Sequence, residues 1–513
     1  MASKNCWRCL STSRPAVSPL LPRSLLPLPH AAALFSTTSA ANAKPAPKGG
    51  VKKGVPKLRK PGEQTTFKRR KKNIPQKTGK APMPGERKAS RKRVVLSNTN
   101  ALEVAWLKDF DGAMLEEIIK TDSLQTIDGP TEPENASVLG KVVGLTGESV
   151  DALRAVDAFK SNQGWGLFNR PGVLLREESV GLSRRIVGAE KGKSVLRLVV
   201  DGDKGAGKSL MLVHALATAH LRGWILVTIP EGMFICCHGQ YEEQSTNCHF
   251  RTAQEVTNAV TPYSPLPSTS PTQYSQNVYI INMFTQLLKA NKPIFEKLNT
   301  TIDLNTLPIP IKEKTITLAR LCELGARDPD VAWPMFEAFW KEITCDGRPP
   351  LMFTLDGLNH VLRNSEYRNT KYEPIHSLDL AIVRKFTDLL SGTATLPNGG
   401  AIIAATSRSH APVVKSLTLA IQQQEDRQAG REVTKLDPFE REYDARAEAA
   451  LKGAQVLKLG GIKKNEARGL MEYWAHSGVY RGLVDERSVA EKWAVAGSGI
   501  VGEIERATLR MRI

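Results

Sequence analysis

Acidic side chains are nearly missing from the first 93 residues, where only Glu63 and Glu86 stand against 23 Lys and Arg, a net of +21. Such a segment has too little to bury and too much like charge to form a packed core. Residues 94–513 carry 48 basic and 50 acidic side chains, so the +19 of the whole chain belongs to its N-terminal arm. Long apolar runs are also missing. No stretch approaches the roughly 18 apolar residues of a membrane-spanning helix, and none is expected. Cysteine is scarce, with seven irregularly spaced residues in 513, which excludes a secreted disulfide scaffold and fits a reducing compartment. Between residues 44 and 93 the single aromatic ring is Phe67, which argues against base stacking there.

Residues 1–43 are rich in Ser, contain Lys4, Arg8, Arg14 and Arg23, and have no acid. That is the composition of a mitochondrial transit peptide. Residues 44–93, with Lys68-Arg69-Arg70-Lys71-Lys72 and Arg87 to Arg93, read as a disordered basic arm. Two readings of the arm stay open: a solvated tail, or a segment that contacts the phosphate backbone of folded RNA and gains from counterion release.

Globular patterning begins near Val94. Residues 94–163 read as a helical N-terminal extension, with Asn100 capping a helix through Leu102, Ala105, Trp106, Met114, Leu115 and Ile118, and another helix over 150–159. Residues 164–460 read as one α/β domain. Apolar runs at 195–200, 224–229, 351–355, 401–406 and 456–459 suit strands buried on both faces, while 278–345 is largely helical. The Pro-, Ser- and Thr-rich stretch 261–275 reads as a surface loop. Cys236, Cys237, His238, Cys248 and His249 match no zinc-finger spacing and read as a cysteine-rich segment. Residues 461–513 read as a helical C-terminal lid, with Asn465 capping its first helix.

The motif that carries chemistry is Gly202-Asp203-Lys204-Gly205-Ala206-Gly207-Lys208-Ser209, followed by Leu210 and an apolar helix and preceded by a strand. It fits the phosphate-loop pattern G-x-x-x-x-G-K-[ST] in the strand, loop, helix context that pattern requires. The glycines let consecutive amides face phosphate oxygens, Lys208 supplies charge to the β- and γ-phosphates, and the helix N-terminus adds its dipole. Ser209 is a candidate Mg²⁺ ligand. Asp356, at the end of the apolar run 351–355, is its candidate partner at the carboxyl edge of a parallel sheet. Ser407 and Arg408 end another strand at that edge, either near the γ-phosphate or as an ordinary strand exit. Arg170 and Pro171 precede the first strand, either packing on the base or simply connecting elements.

These motifs, with Thr354-Leu355-Asp356-Gly357-Leu358-Asn359, Gly399-Gly400-Ala401-Ile402-Ile403 and Leu436-Asp437-Pro438-Phe439, resemble the death-associated protein 3 family over roughly residues 164–513. That family is the GTP-binding protein of the mitochondrial ribosomal small subunit. The resemblance implies a P-loop NTPase fold of AAA-like type, with a parallel sheet, helices on both faces and a C-terminal lid. It also implies GTP or GDP with Mg²⁺, and a place in the mitochondrial matrix among small-subunit ribosomal RNA and neighbouring mitochondrial ribosomal proteins, with the large subunit across the inter-subunit face. Fast hydrolases of the additional-strand class place a Glu after the strand-end Asp to orient water. Here Gly357 occupies that slot, and Asn359, His360 and Glu231 are weak substitutes. A slow or silent GTPase is therefore expected, against the alternative of an active signalling or remodelling NTPase that couples hydrolysis to lid motion.

Overall fold

The computed structural model describes residues 106–120, 138–160, 163–168, 170–230, 262–266, 272–303, 307–311, 315–409, 411–441 and 443–509. The expected transit peptide and basic arm, Asn100, Leu102, Ala105, Glu231 and the Cys236 to His249 cluster lie outside these residues.

In its described residues the N-terminal extension is mixed rather than helical. Strand β1 (Asp109–Phe110) precedes helix α1 (Gly112–Lys120), and strand β2 (Val142–Leu145) precedes helix α2 (Gly147–Ala155). With β3 (Gly172–Leu174) the strands form one sheet in which β2 lies parallel to β1 and antiparallel to β3. The amide of Gly144 draws the Lys108 carbonyl into this pairing at 2.7 Å. Helix α1 therefore starts only beyond it, with the Asp111 carboxylate accepting the Met114 amide at 2.8 Å.

Helix α3 (Glu177–Lys191) leads to strand β4 (Val195–Gly202), helix α4 (Lys208–Leu221) and strand β5 (Ile225–Ile229). Within the stretch expected to be a loop, β6 (Ser264–Pro265) pairs antiparallel with β7 (Tyr274–Ser275). A helical block follows: α5 (Asn277–Ala290), α6 (Lys292–Phe295), α7 (Leu318–Gly325) and α8 (Pro329–Thr344). Strand β8 (Leu351–Asp356), helix α9 (Leu358–Val361), the β9 (Asn364–Arg368) and β10 (Pro374–His376) pair, helix α10 (Ala381–Ser391) and strand β11 (Gly400–Ala405) come next. Helices α11 (Lys415–Gln428) and α12 (Ala445–Leu451) then lead to strand β12 (Gln455–Leu459). Helices α13 (Lys464–His476), α14 (Glu486–Val495) and α15 (Val501–Leu509) end the described chain. Lys463, not Asn465, is the N-cap of α13, and the Glu466 carboxylate accepts its amide at 2.8 Å.

The central sheet has five parallel strands in the order β12-β4-β11-β8-β5. Alternate residues feed opposite cores, as the period of a strand demands. Val199, Val227, Phe353 and Ile402 pack toward the layer containing α5, α7, α8 and α10, whereas Leu198, Val200, Leu226, Met352 and Ile403 pack toward α3 and α4. Burial on both faces explains why these strands read as unbroken apolar runs. Each fully buried Phe or Leu contributes about 1.5–3 kcal/mol. A third apolar cluster joins α13, α14 and α15 to Leu107, Val142 and Phe168, so the C-terminal helices rest on the N-terminal extension.

Candidate functional site

The register of the sheet aligns Val200, Ala405 and Asp356 across β4, β11 and β8, and pairs Gly202 with Leu459 of β12. The strand ends thus meet at one carboxyl edge, where the loop from Gly202 to Ser209 joins β4 to α4. Gly207 caps α4 at φ 95°, and Gly205 stands at φ 82°, a region that side chains with a Cβ rarely adopt. Asp203, Lys204 and Gly205 are exposed at the crest, Ala206 and Lys208 are buried, and Gly207, Ser209 and Leu210 are half-buried. The Lys208 ammonium donates to the carbonyls of Gly202 at 2.6 Å and Asp203 at 2.8 Å. Burial pushes its pKa down, while Asp201 opposes the shift.

Asp201 and Asp356 are both buried at this edge. Asp201 accepts from the Thr406 hydroxyl at 2.6 Å and pairs with Arg408 at 2.9 Å; Arg408 also reaches Asp203 at 3.1 Å. The β11 exit is therefore tied to both ends of the loop's first turn. Ser407 is held through its amide, which donates to the Asn359 side chain at 2.9 Å. Asn359 also donates to the Pro412 carbonyl at 3.4 Å, so it links two loops.

Ser209 and Asp356 are brought together through Lys160. Its ammonium lies 2.7 Å from the Ser209 hydroxyl and 2.7 Å from the Asp356 carboxylate. A magnesium ion takes an octahedral set of oxygens at about 2.0–2.1 Å and usually keeps several waters. The pair does not fit that ion as it stands, because an ammonium bridges the two oxygens the ion would use.

Arg176 was not distinguishable in the sequence from any other strand-flanking arginine. It is buried, donates to the carbonyls of Ala206 at 3.0 Å and Gly460 at 3.2 Å, and is paired with Glu178 at 2.8 Å. One guanidinium thus braces both the loop and the root of the C-terminal helices. Those helices also reach the crest, where the Gly502 amide donates to the Gly205 carbonyl at 2.9 Å.

Arg170 is ion-paired with Asp109, and its carbonyl accepts from Tyr473 of α13 at 3.5 Å. The Pro171 carbonyl accepts the Leu145 amide at 2.9 Å. Phe168 stacks on Tyr473 at 4.9 Å, so this turn sits between the small sheet and the C-terminal helices. Leu436 and Phe439 stand exposed between α11 and α12.

Fold and site together define an α/β protein that carries a phosphate-loop sequence at the carboxyl edge of a parallel sheet, closed over by a C-terminal helical unit. The model of the family described as mitochondrial ribosomal death-associated protein 3 matches residues 173–246 and 237–507. Small ribosomal subunit protein mS29 of Neurospora crassa is 38% identical over 515 residues, covering 99% of both chains. The chain belongs to the mitochondrial ribosomal death-associated protein 3 family, and its place is the mitochondrial matrix. Among the described residues no helix is long and apolar enough to cross a membrane.

Proposed function

We propose that this protein is a structural component of the mitochondrial ribosomal small subunit that retains a guanine nucleotide, GTP or GDP, at Gly202 to Leu210 and turns it over slowly or not at all. The observation that carries the ribosomal role is the match along 99% of both chains to a relative named for the small subunit. Small-subunit ribosomal RNA and neighbouring ribosomal proteins are its partners under this reading, with the basic arm the segment of the chain best suited to RNA phosphates.

The nucleotide reading is supported by the loop motif at the carboxyl edge and by the strand order, in which β11 separates β4 from the acid-bearing β8. That additional strand is the arrangement expected of an AAA-like P-loop NTPase. Arg170 and Pro171 are the base-side candidates by their place in the chain ahead of the loop strand, on a turn that packs against Tyr473 of α13. Slow turnover is supported by Gly357 following Asp356 and by Asn359 being engaged by Ser407 and Pro412, which leaves it poorly disposed to orient water. The same engagement disfavours an active remodelling NTPase.

Mass spectrometry of nucleotide released from native mitochondrial small subunits tests this directly. A guanine nucleotide near one per particle is expected, and its loss on Lys208→Ala with the subunit still assembled. Particles lacking nucleotide, or carrying it equally with Lys208→Ala, would remove the loop from this role. Deleting residues 44–93 while keeping the targeting segment is expected to weaken subunit incorporation in a salt-dependent way.

A further inference from the structure

Besides Lys208, a second ammonium of the chain stands at the Gly202 to Ser209 loop. Lys160 lies just beyond α2 in the N-terminal extension, and its ammonium sits 2.7 Å from both the Ser209 hydroxyl and the Asp356 carboxylate. These are the lengths of charge-assisted N–H···O bonds. Both partners in the ion pair are largely buried, with side-chain exposures of 17% for Lys160 and 9% for Asp356. An ion pair in that setting persists only when its geometry is held, because desolvation opposes it.

The geometry is held. Asp157, at φ 53°, accepts from the Gln286 amide of α5 at 2.8 Å, and the Ala158 amide returns to the Leu153 carbonyl at 3.0 Å. Phe159 packs edge-on against Trp165 at 4.9 Å, and the Gln163 amide donates to the Lys160 carbonyl at 3.2 Å. Helix α2 itself is docked on α4 through Ser149 and His220, 3.1 Å apart. Lys160 is therefore aimed at the loop by contacts to three separate elements.

We propose that Lys160 is a resident cation that takes the place of Mg²⁺ between Ser209 and Asp356, so that nucleotide is retained without a divalent metal. This rests on the nucleotide reading above. Lys160 and Lys208 then bring two ammonium charges to the phosphates, and Asp356 is balanced by Lys160 instead of by a hydrated ion.

The test is the affinity of the purified full chain for a fluorescent GDP analogue, measured in EDTA and in excess Mg²⁺. Wild-type affinity is expected to agree within about threefold between the two conditions, whereas Lys160→Ala loses about tenfold or more in EDTA and recovers with Mg²⁺. Electron paramagnetic resonance of Mn²⁺ is expected to report a bound ion in nucleotide-loaded Lys160→Ala and none in wild type. Lys160→Arg should keep the metal-independent behaviour, and thermal melting of each variant separates misfolding from loss of charge. A wild-type affinity that falls about tenfold in EDTA overturns the proposal without any variant, as does Lys160→Ala binding equally in EDTA. Wild type that binds the analogue in neither condition removes the nucleotide reading itself, and this proposal with it.

Discussion

The amide of Gly502 donates to the carbonyl of Gly205 at 2.9 Å, fastening the first turn of α15 to the crest of the Gly202 to Ser209 loop. The approach is close because neither residue carries a side chain. A Cβ on Gly502 would stand 3.2 Å from the Gly205 Cα and 3.4 Å from its carbonyl oxygen.

Gly502→Val is therefore expected to push α15 off the loop. Overpacking of this kind costs about 1–3 kcal/mol, to be read as a lowered Tm, together with faster release of the proposed nucleotide. Unaltered Tm and release rate would mean that the helix end yields without effect on the loop.

Arg408 ties the β11 exit to Asp201 and Asp203. Arg408→Leu leaves the buried Asp201 carboxylate with the Thr406 hydroxyl and the nearby Lys208 charge but without its hydrogen-bonded guanidinium, a loss of about 1–3 kcal/mol. Adding Asp201→Asn should recover part of that loss. Urea unfolding of the four members of this cycle measures the coupling, and strictly additive effects would show that the pair is energetically idle.

His214 lies buried between α3 and α4, 2.7 Å from the Ser183 hydroxyl and stacked on Phe110. Burial lowers its pKa from 6.5 to about 4. Between those two values the unfolded chain binds the proton and the folded one does not, so stability is full above 6.5 and falls with acid down to about 4. Across that window the loss amounts to about 3 kcal/mol. Urea midpoints at about pH 7 and about pH 5 should differ more for the wild type than for His214→Asn. Parallel pH profiles would assign the acid sensitivity elsewhere.

Glu342 is buried in α8, accepts the Ile302 amide at 2.6 Å and pairs with Arg348 at 2.6 Å. Glu342→Ala leaves the Arg348 guanidinium with the carbonyls of Asn299 and position 342 but without its carboxylate, and leaves the Ile302 amide without its acceptor, an expected cost of about 1–3 kcal/mol. Glu342→Gln keeps an acceptor for the Ile302 amide and should cost less. Calorimetry on the two variants separates the lost acceptor from the lost charge, and equal losses would assign the whole effect to the ion pair.

Much of the central sheet was legible because its strands are buried on both faces and so read as uninterrupted apolar runs, as at Ile225–Ile229 and Leu351–Asp356. The position of the Gly202 to Ser209 loop between a strand and a helix was legible because its pattern is local. The strands of the N-terminal sheet were not, since two to four residues are too few to display a period, and β1 exists only through its pairing with β2. Lys160 and Arg176 were invisible as site residues for a different reason. Each acts across a gap that the fold closes, Lys160 on Ser209 and Asp356 and Arg176 on Ala206 and Gly460. Nothing in the neighbouring sequence marks either one.

Arg176 and Gly502 give the chain a timetable. The loop is bounded by Lys160 before it, braced at Gly460 and capped from Gly502, so its surroundings are complete only when nearly the last described residues have arrived. Contacts of such wide sequence separation form late, because loop-closure entropy must be met before they reward the fold. A chain emerging N-terminus first would present an uncovered loop until its last helices had followed. Closure of the loop therefore waits on α15, and a chain cut short of that helix would lack the Gly502 amide that covers the loop's crest.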